Sequence, residues 1–411
     1  MSKIQSVRGA YDLYGEAKRK TKKVIITAEK VAEKYGFEEI ETPIFEFTEV
    51  FTRNLGDTSD IVTKEMYCFQ DRGGESLTLR PEGTAGLVRA FVSNGMQQNL
   101  PLKFYYHGPM FRYDRPQKGR QRQFTQFGAE LLGIDSPQAD IELIAMAYEF
   151  LGKLGLQDSV TVEINSLGDT ESRSIYKEKL VDYLHGNLDS LSEDSKGRLE
   201  KNPLRVLDSK EDCDREIVKN APLYADSLNE SSKKFFEDVL KGLDLLGIKY
   251  RINNRLVRGL DYYSHTVFEL ITDKLGSQGT VLAGGRYDGL IEQMGGGKVA
   301  GIGWACGVER LALLLESGLE QVRPVAVIPV SEEVEDKALV ISQKLRQAGF
   351  AVEQGYSGNM KKRMMRANKL NAGKAVIVGP DELVNNEVIL KDLDSGSQKN
   401  VKIEKLIEEL N

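Results

Sequence analysis

Cysteine, histidine, tryptophan and proline are all scarce in this chain: of 411 residues three are Cys, three His, one Trp and eleven Pro. Cys68, Cys213 and Cys306 are odd in number, far apart and without a CxxC pairing. That argues against a disulfide framework or a structural zinc cluster and fits a reducing cytosol. His107, His185 and His265 are scattered, each reading as a structural or surface residue, and no zinc-type spacing of His, Cys and acid occurs, so no protein metal site is predicted. Long apolar runs are also missing. The longest, such as Val325 to Val330, fall far short of the roughly 20 residues a spanning helix needs, so no membrane segment is expected. The first thirty residues lack the apolar core of a secretion signal, which predicts a cytoplasmic protein whose mature chain begins at or near Met1. There is no positive excess: 56 Lys and Arg against 62 Asp and Glu leave a net charge of −6, which taken alone speaks mildly against a nucleic-acid partner.

What is present is an ordinary globular composition, 40% hydrophobic and 29% charged, long enough for two or three domains. Apolar spacing predicts a helix over Lys18 to Tyr35, a strand from Phe37 to Pro43, a helix from Thr84 to Ser93, and a hairpin of Leu102 to Arg112 and Gln123 to Leu132 with its charge at the tip. A helix over Asp140 to Leu154 and a strand over Val160 to Asn165 follow. Residues 169–246 turn to Lys, Glu, Asp, Ser and Leu with few β-branched residues, predicting a mostly helical insertion. Strand signals resume at Leu256, Thr266 to Thr272 and Thr280 to Leu282, glycines crowd Gly276 to Gly307, and a helix is expected over Val308 to Glu316. From Pro324 strands and helices alternate through Val378, so the chain is divided into residues 1–322 and a compact α/β domain of residues 323–411.

Five clusters could carry chemistry. Arg80-Pro81-Glu82-Gly83-Thr84 reads on its own as a helix start, with Thr84 a candidate cap. The hairpin run Phe111 to Phe124 holds five basic residues and one acid between Arg112 and Arg122, in reach of aromatic rings. A solvated loop explains such a run, but guanidinium forks also match phosphate oxygens. On the return strand Phe124, Gln126, Gly128 and Glu130 share one face, a set that a core-facing strand would not normally choose. Leu256 to Tyr263 could line a polar pocket or form a partly buried edge. Gly284 to Leu290 and Gly301 to Leu311 are glycine-rich, match neither a Walker loop nor a dinucleotide fingerprint, and end in Arg310 at a helix start, where it could reach a phosphate.

In this order, over nearly the whole chain, the five clusters resemble the histidyl-tRNA synthetases of class II, subclass IIa. The resemblance implies an α+β fold: an antiparallel sheet flanked by helices, a helical insertion and a C-terminal α/β anticodon-binding domain. It implies activation of L-histidine with ATP and Mg²⁺ to histidyl-adenylate and pyrophosphate, then transfer to the 3′ end of tRNA-His, by a homodimer with a motif-1-like segment around Gly36 to Phe47. By the same resemblance Arg112 holds the ATP α-phosphate and the amino-acid carboxylate, with Arg258 beside that phosphate and Gln126 completing the catalytic set. Asp114 and Phe124 contact adenine, and Arg310 the γ-phosphate. Glu82, Gly83, Thr84 and Gln126 fix the amino end of histidine; Glu130 and Tyr263 bond the imidazole nitrogens, with Tyr262 alongside. Lys118, Arg120 and Gln121 guide the tRNA acceptor stem. Asp114 stands one methylene short of the family's usual glutamate, and Arg8 to Tyr14 lacks a proline the family often carries.

The family also has paralogues that do not charge tRNA, a regulatory subunit and a sensor domain. Those are expected to lose the substrate-specific residues, whereas Arg258, Tyr262, Tyr263, Arg310 and the C-terminal domain are all present here. The charge also resolves by position. Residues 324–411 carry thirteen basic and thirteen acidic side chains, so the −6 belongs to residues 1–323. Lys361, Lys362, Arg363, Arg366, Lys369 and Lys374 form a stretch without an acid, predicting a second basic patch beside that of the hairpin.

Overall fold

The computed structural model describes residues 3–55, 59, 61–207, 209, 211–258, 262–276 and 279–411. Met1, Asp208 and Lys210 of the predicted insertion, and Gly259, Leu260 and Asp261 of the run 256–263 lie outside them. The chain divides into two units, Met1–Leu319 and Glu320–Asn411.

The strands of the first unit are, in chain order, β1 Glu38–Glu39, β2 Phe45–Phe47, β3 Tyr67–Gln70, β4 Ser76–Leu79, β5 Leu102–Phe111, β6 Gln123–Leu132, β7 Thr161–Ser166, β8 Tyr250–Ile252, β9 Ser264–Ile271, β10 Thr280–Arg286 and β11 Gly301–Gly307. Eight form one sheet in the order β1-β5-β6-β11-β10-β9-β7-β8, antiparallel except at its two edges, where β1 runs parallel to β5 and β8 to β7. The expected hairpin is β5 and β6, paired from Leu102↔Leu132 to Phe111↔Gln123. Period-two alternation in β6 then separates two cores. Phe127, Ala129 and Leu131 join the core covered by helices Gly15–Lys34, Pro137–Lys153 and Glu230–Leu245, where Trp304 stacks between Phe127 and Phe150 at 5.9 and 6.0 Å. Phe124 and Leu132 face the other core, under helix Thr84–Ser93 and the insertion, where helices Thr170–His185, Glu193–Lys201 and Asp212–Val218 lie.

Several elements depart from the sequence reading; over Leu256 to Arg258, for one, no strand forms. The strand expected over Phe37 to Pro43 is reduced to the two residues of β1, and β2 follows it as part of a separate sheet, β2-β4-β3. β11 was not read as a strand at all, because glycines at 301, 303 and 307 suppress the strand signal. The reason is spatial: a Cβ on Gly303 would overlap the carboxylate of Glu130 on the neighbouring strand.

In the second unit β12 Val325–Pro329, β13 Val352–Gln354 and β14 Lys374–Val378 are parallel, and β15 Glu387–Asp392 and β16 Gln398–Lys402 add an antiparallel hairpin. That hairpin gave little sequence signal, since only Val401 of β16 is buried. The predicted basic patch is smaller than its sequence suggests. Arg363 is only 7% exposed, bonded to the Pro329 carbonyl at 2.6 Å and to Glu335 at 2.5 Å; Arg366 pairs with Glu353 at 2.5 Å; Lys374 bonds the carbonyls of Glu409 and Leu410. Arg363 and Lys374 are thereby taken up by their own unit, whereas Arg366, paired but 57% exposed, faces solvent with Lys361, Lys362 and Lys369.

Candidate active site

The β6 face that carries Phe124, Gln126 and Glu130 opens on a cavity of about 400 Å³. Glu82, Thr84, Arg112, Asp114, Arg120, Gln121, Phe124, Gln126, Glu130, Arg258, Tyr262, Tyr263 and Arg310 all line it, so residues up to 228 positions apart converge on one space. Two of the sequence-derived candidates do not. Gly83 lies behind the wall and donates its N–H to Gln126 Oε1 at 3.1 Å; Lys118 is exposed in the hairpin loop.

One end of the cavity is built from carboxylates and hydroxyls. Glu82, at the start of helix Thr84–Ser93, accepts from the N–H groups of Thr84 and Ala85, both at 2.7 Å. It therefore does the capping expected of Thr84, whose hydroxyl instead donates to Glu130 Oε1 at 2.6 Å. A carboxylate suits the place because unpaired N–H groups and the helix dipole both favour negative charge there. Glu130 also accepts from the Tyr287 hydroxyl at 2.6 Å and from Tyr106 at 3.5 Å. Burial pushes the Glu130 carboxyl up to about 8, against the lowering effect of the Thr84 and Tyr287 hydrogen bonds, and the Glu82 charge adds to the rise. Burial likewise raises Glu82, although the Ala85 and Thr84 N–H groups and Arg112 oppose it. Tyr262 packs against Tyr263 at 4.7 Å and edge-on to Tyr287 at 5.8 Å.

Tyr106 and Tyr287 were not singled out from the sequence. Tyr106 sits opposite Gly128 across the hairpin, and a Cβ on either Gly83 or Gly128 would overlap its ring. Tyr287 lies inside the glycine-rich run Gly284 to Leu290, but nothing in the sequence aims it at Glu130.

Arginines build the other end. Arg112 donates from Nε to the Pro81 carbonyl at 2.8 Å and lies 5.4 Å over the Phe124 ring. Burial lowers its pKa, which Glu65 and Glu82 counter. Arg310 bonds the Thr280 carbonyl at 2.6 Å and the Gly119 carbonyl at 3.2 and 3.3 Å; burial, then Arg120 and Arg112, lower it. Arg258 is ion-paired with Glu269 and lies 5.9 Å from the Tyr263 ring. Burial opposes its charge, but Glu269 and the two tyrosines outweigh that and hold its pKa above the ordinary value. Asp114 pairs with Arg120 at 3.0 Å, drawing Arg120 to the cavity wall, and the Arg122 guanidinium stacks on Tyr113 at 3.8 Å. The N-terminal segment braces this loop, the Gly9 carbonyl accepting from Arg122 N–H at 2.8 Å.

A sheet face that presents fixed arginines at one end and a carboxylate–tyrosine cage at the other defines a class of site suited to a phosphorylated substrate beside a small polar one. Comparison with known proteins narrows the class. The family model for histidyl-tRNA synthetase matches residues 9–311, and that for the anticodon binding domain matches residues 324–411. Proteins named histidine–tRNA ligase from Rhodospirillum rubrum and Gluconobacter oxydans are 56% and 54% identical over 402 and 403 residues, 98% of this chain and 97% of each relative. The crystal structure of the apo histidyl-tRNA synthetase of S. aureus superimposes with a TM-score of 0.84 at 35% identity, covering 99% of both chains. The chain belongs to the histidyl-tRNA synthetase family.

Proposed function

We propose that this protein is a histidine–tRNA ligase: it activates L-histidine with ATP to histidyl-adenylate and pyrophosphate, then transfers histidine to the 3′ end of tRNA-His. The observation that carries this is the convergence of all five sequence clusters on one cavity, in a chain of this family. The inactive-paralogue reading is not favoured, since Arg112, Arg258 and Arg310 and the Glu130–Tyr262–Tyr263 group are present and assembled.

In the first step the histidine carboxylate attacks the α-phosphorus and pyrophosphate leaves. Two anions must meet, so fixed positive charge is the main requirement, and no proton need move. Arg112 would hold the α-phosphate and the carboxylate, Arg258 the α-phosphate from the other side, and Arg310 the γ-phosphate. Phe124, backed by Arg112, would stack on adenine, with Asp114 beside it. Magnesium would enter as part of the nucleotide, neutralising its phosphates.

Glu82, Gln126 and Thr84 would receive the amino group, with the Gly83 N–H holding Gln126 in place. Glu130 and Tyr263 would bond the two imidazole nitrogens, with Tyr262 packed alongside. A buried cage of this kind rejects an apolar impostor by about 10⁴-fold, because its polar groups would be left unpaired.

Lys118, Arg120 and Gln121 would guide the acceptor end, and the C-terminal unit would bind the anticodon region, where Tyr356 is exposed near Lys361 and Lys362. A homodimer and a cytosolic setting complete the proposal. The first is supported by exposed Ile44, Phe45, Phe47 and Phe69 around the motif-1-like segment, the second by three free cysteines. Among the described residues no helix is long and apolar enough to cross a membrane.

The test is ATP–pyrophosphate exchange with each amino acid in turn. Exchange with histidine alone is the expected result, and exchange absent with histidine overturns the proposal.

A further inference from the structure

Two polar residues of the cavity, Glu269 on β9 and Thr280 at the start of β10, have no part in the reaction as described. Glu269 Oε1 accepts from Arg258 Nη1, and its Oε2 accepts from the Thr280 hydroxyl at 2.8 Å. The Thr280 carbonyl in turn accepts from Arg310 Nη1 at 2.6 Å, and Arg310 reaches the Gly119 carbonyl of the hairpin loop. An unbroken polar chain therefore runs from Arg258 through Glu269 and Thr280 to Arg310 and the loop. The Arg258 and Glu269 side chains are only 20% and 16% exposed, so water competes weakly for the pair.

The neighbouring acid cannot substitute. Glu163 lies opposite Glu269 on β7, but it is engaged by Arg251 and by Asn253 at 2.6 Å. The β9–β10 register is irregular between Thr280 and Leu282, so Thr280 stands where the regular ladder is interrupted. Without Glu269, Arg258 would keep its charge with the Tyr263 hydroxyl as its remaining partner, freer to take other rotamers and no longer joined to Thr280 and Arg310.

We propose that Glu269 and Thr280 are positioning residues for adenylate formation, which hold Arg258 and Arg310 at a fixed separation so that the α- and γ-phosphates are gripped as a unit. Neither residue need touch the substrate. This rests on the ATP-binding roles given above to Arg258 and Arg310. It weights the effect toward the step in which a triphosphate is present, since histidine transfer from the adenylate to tRNA keeps the α-phosphate but involves no γ-phosphate.

Glu269→Gln keeps the shape and removes the charge; Thr280→Val removes the hydroxyl and keeps the carbonyl on Arg310. The expected result for Glu269→Gln is a drop of roughly 10- to 100-fold in kcat for histidine-dependent pyrophosphate exchange. KM for histidine should stay within about threefold, and single-turnover transfer from preformed histidyl-adenylate should fall clearly less than exchange. Thr280→Val should show the same pattern at smaller size, and carries the test if the Gln variant folds poorly. Adding Glu269→Gln to Arg258→Ala should produce no further loss. Exchange within twofold of the parent, transfer falling as much as exchange, or an additive double variant would each overturn the proposal. A parent enzyme that does not exchange pyrophosphate with histidine would instead count against the functional reading itself.

Discussion

At the scale of single residues, Glu130 has the sharpest consequence. It is 1% exposed and its carboxyl is raised to about 8, so the folded chain keeps a proton there that the unfolded chain releases near 4.5. Between those values the native state binds more protons than the unfolded state, and stability falls as pH rises, by up to about 1.4 kcal/mol per unit from this group. Thermal unfolding of the ligand-free protein should therefore show a Tm that declines from pH 5 to 8, and Glu130→Gln should flatten that decline. An unchanged slope in the variant would show that Glu130 is ionised in the folded protein. The same substitution should lower kcat/KM for histidine by roughly 100-fold or more, since a hydrogen bond to the ring is lost in a buried site. Residues of this kind were only partly legible in the sequence. Alternation along one strand grouped Phe124, Gln126 and Glu130, because strand geometry obliges it. Tyr106 and Tyr287 reach Glu130 from β5 and from just beyond β10, and Glu269 reaches Arg258 from β9; such meetings depend on sheet order, which no local pattern encodes.

Secondary-structure elements were legible where periodicity is strong and obscure where the site had distorted it. The long helices and the β5–β6 hairpin follow directly from apolar spacing. β11 does not, because Gly303 is there to admit Glu130, and Gly301 the Tyr287 ring, rather than to favour a strand. Gly303→Ala puts this to the test. The added methyl meets a carboxylate held by Thr84 and Tyr287 on both oxygens, so the carboxylate must move, at a cost of about 1–3 kcal/mol in stability. Far-UV circular dichroism should be preserved while KM for histidine rises at least tenfold; an unaffected KM would mean that the Glu130 seat tolerates displacement. The helix start at Glu82 teaches the same lesson. Capping preferences named Thr84, but a residue two places earlier, with a longer reach, took both N–H groups and released the threonine hydroxyl for the site.

Across the whole molecule, the division of charge and apolar surface was only coarsely visible. Six basic residues in an acid-free stretch suggest one patch, yet Arg363 and Lys374 turn to carbonyls of their own unit and Arg366, though exposed, is paired with Glu353. Burial, not composition, decides which charges a partner can meet. The apolar surface of the small sheet is the converse case. Phe45, Leu79 and Tyr67 form one cross-strand row, and Phe47, Leu77 and Phe69 another, with Phe45, Phe47 and Phe69 each 44–54% exposed. Monomers rarely leave such a face uncovered. On the opposite side of β2, Glu46 pairs with Arg89 of helix Thr84–Ser93, at 2.5 Å, so this surface is tied to the cavity wall. Phe45→Glu with Phe47→Glu should shift sedimentation from two chain masses to one and depress pyrophosphate exchange along with it. A single chain mass for the unaltered protein would contradict the dimer.

The strict alternation of β6 also fixes which length changes this gene can survive. Between Phe111 and Gln123 the chain is a loop whose arms carry Arg112, Asp114, Arg120 and Gln121 to the cavity, so a residue gained or lost is tolerated only at its tip, around Arg115 to Gln117. One codon lost inside β6 would send Glu130 toward Trp304 and the aromatic stack, and bring an apolar neighbour into the histidine cage, exchanging the two faces at a stroke. Insertions and deletions in descendants of this sequence should therefore accumulate at the tip of the hairpin loop and stay out of the ten residues that follow the loop.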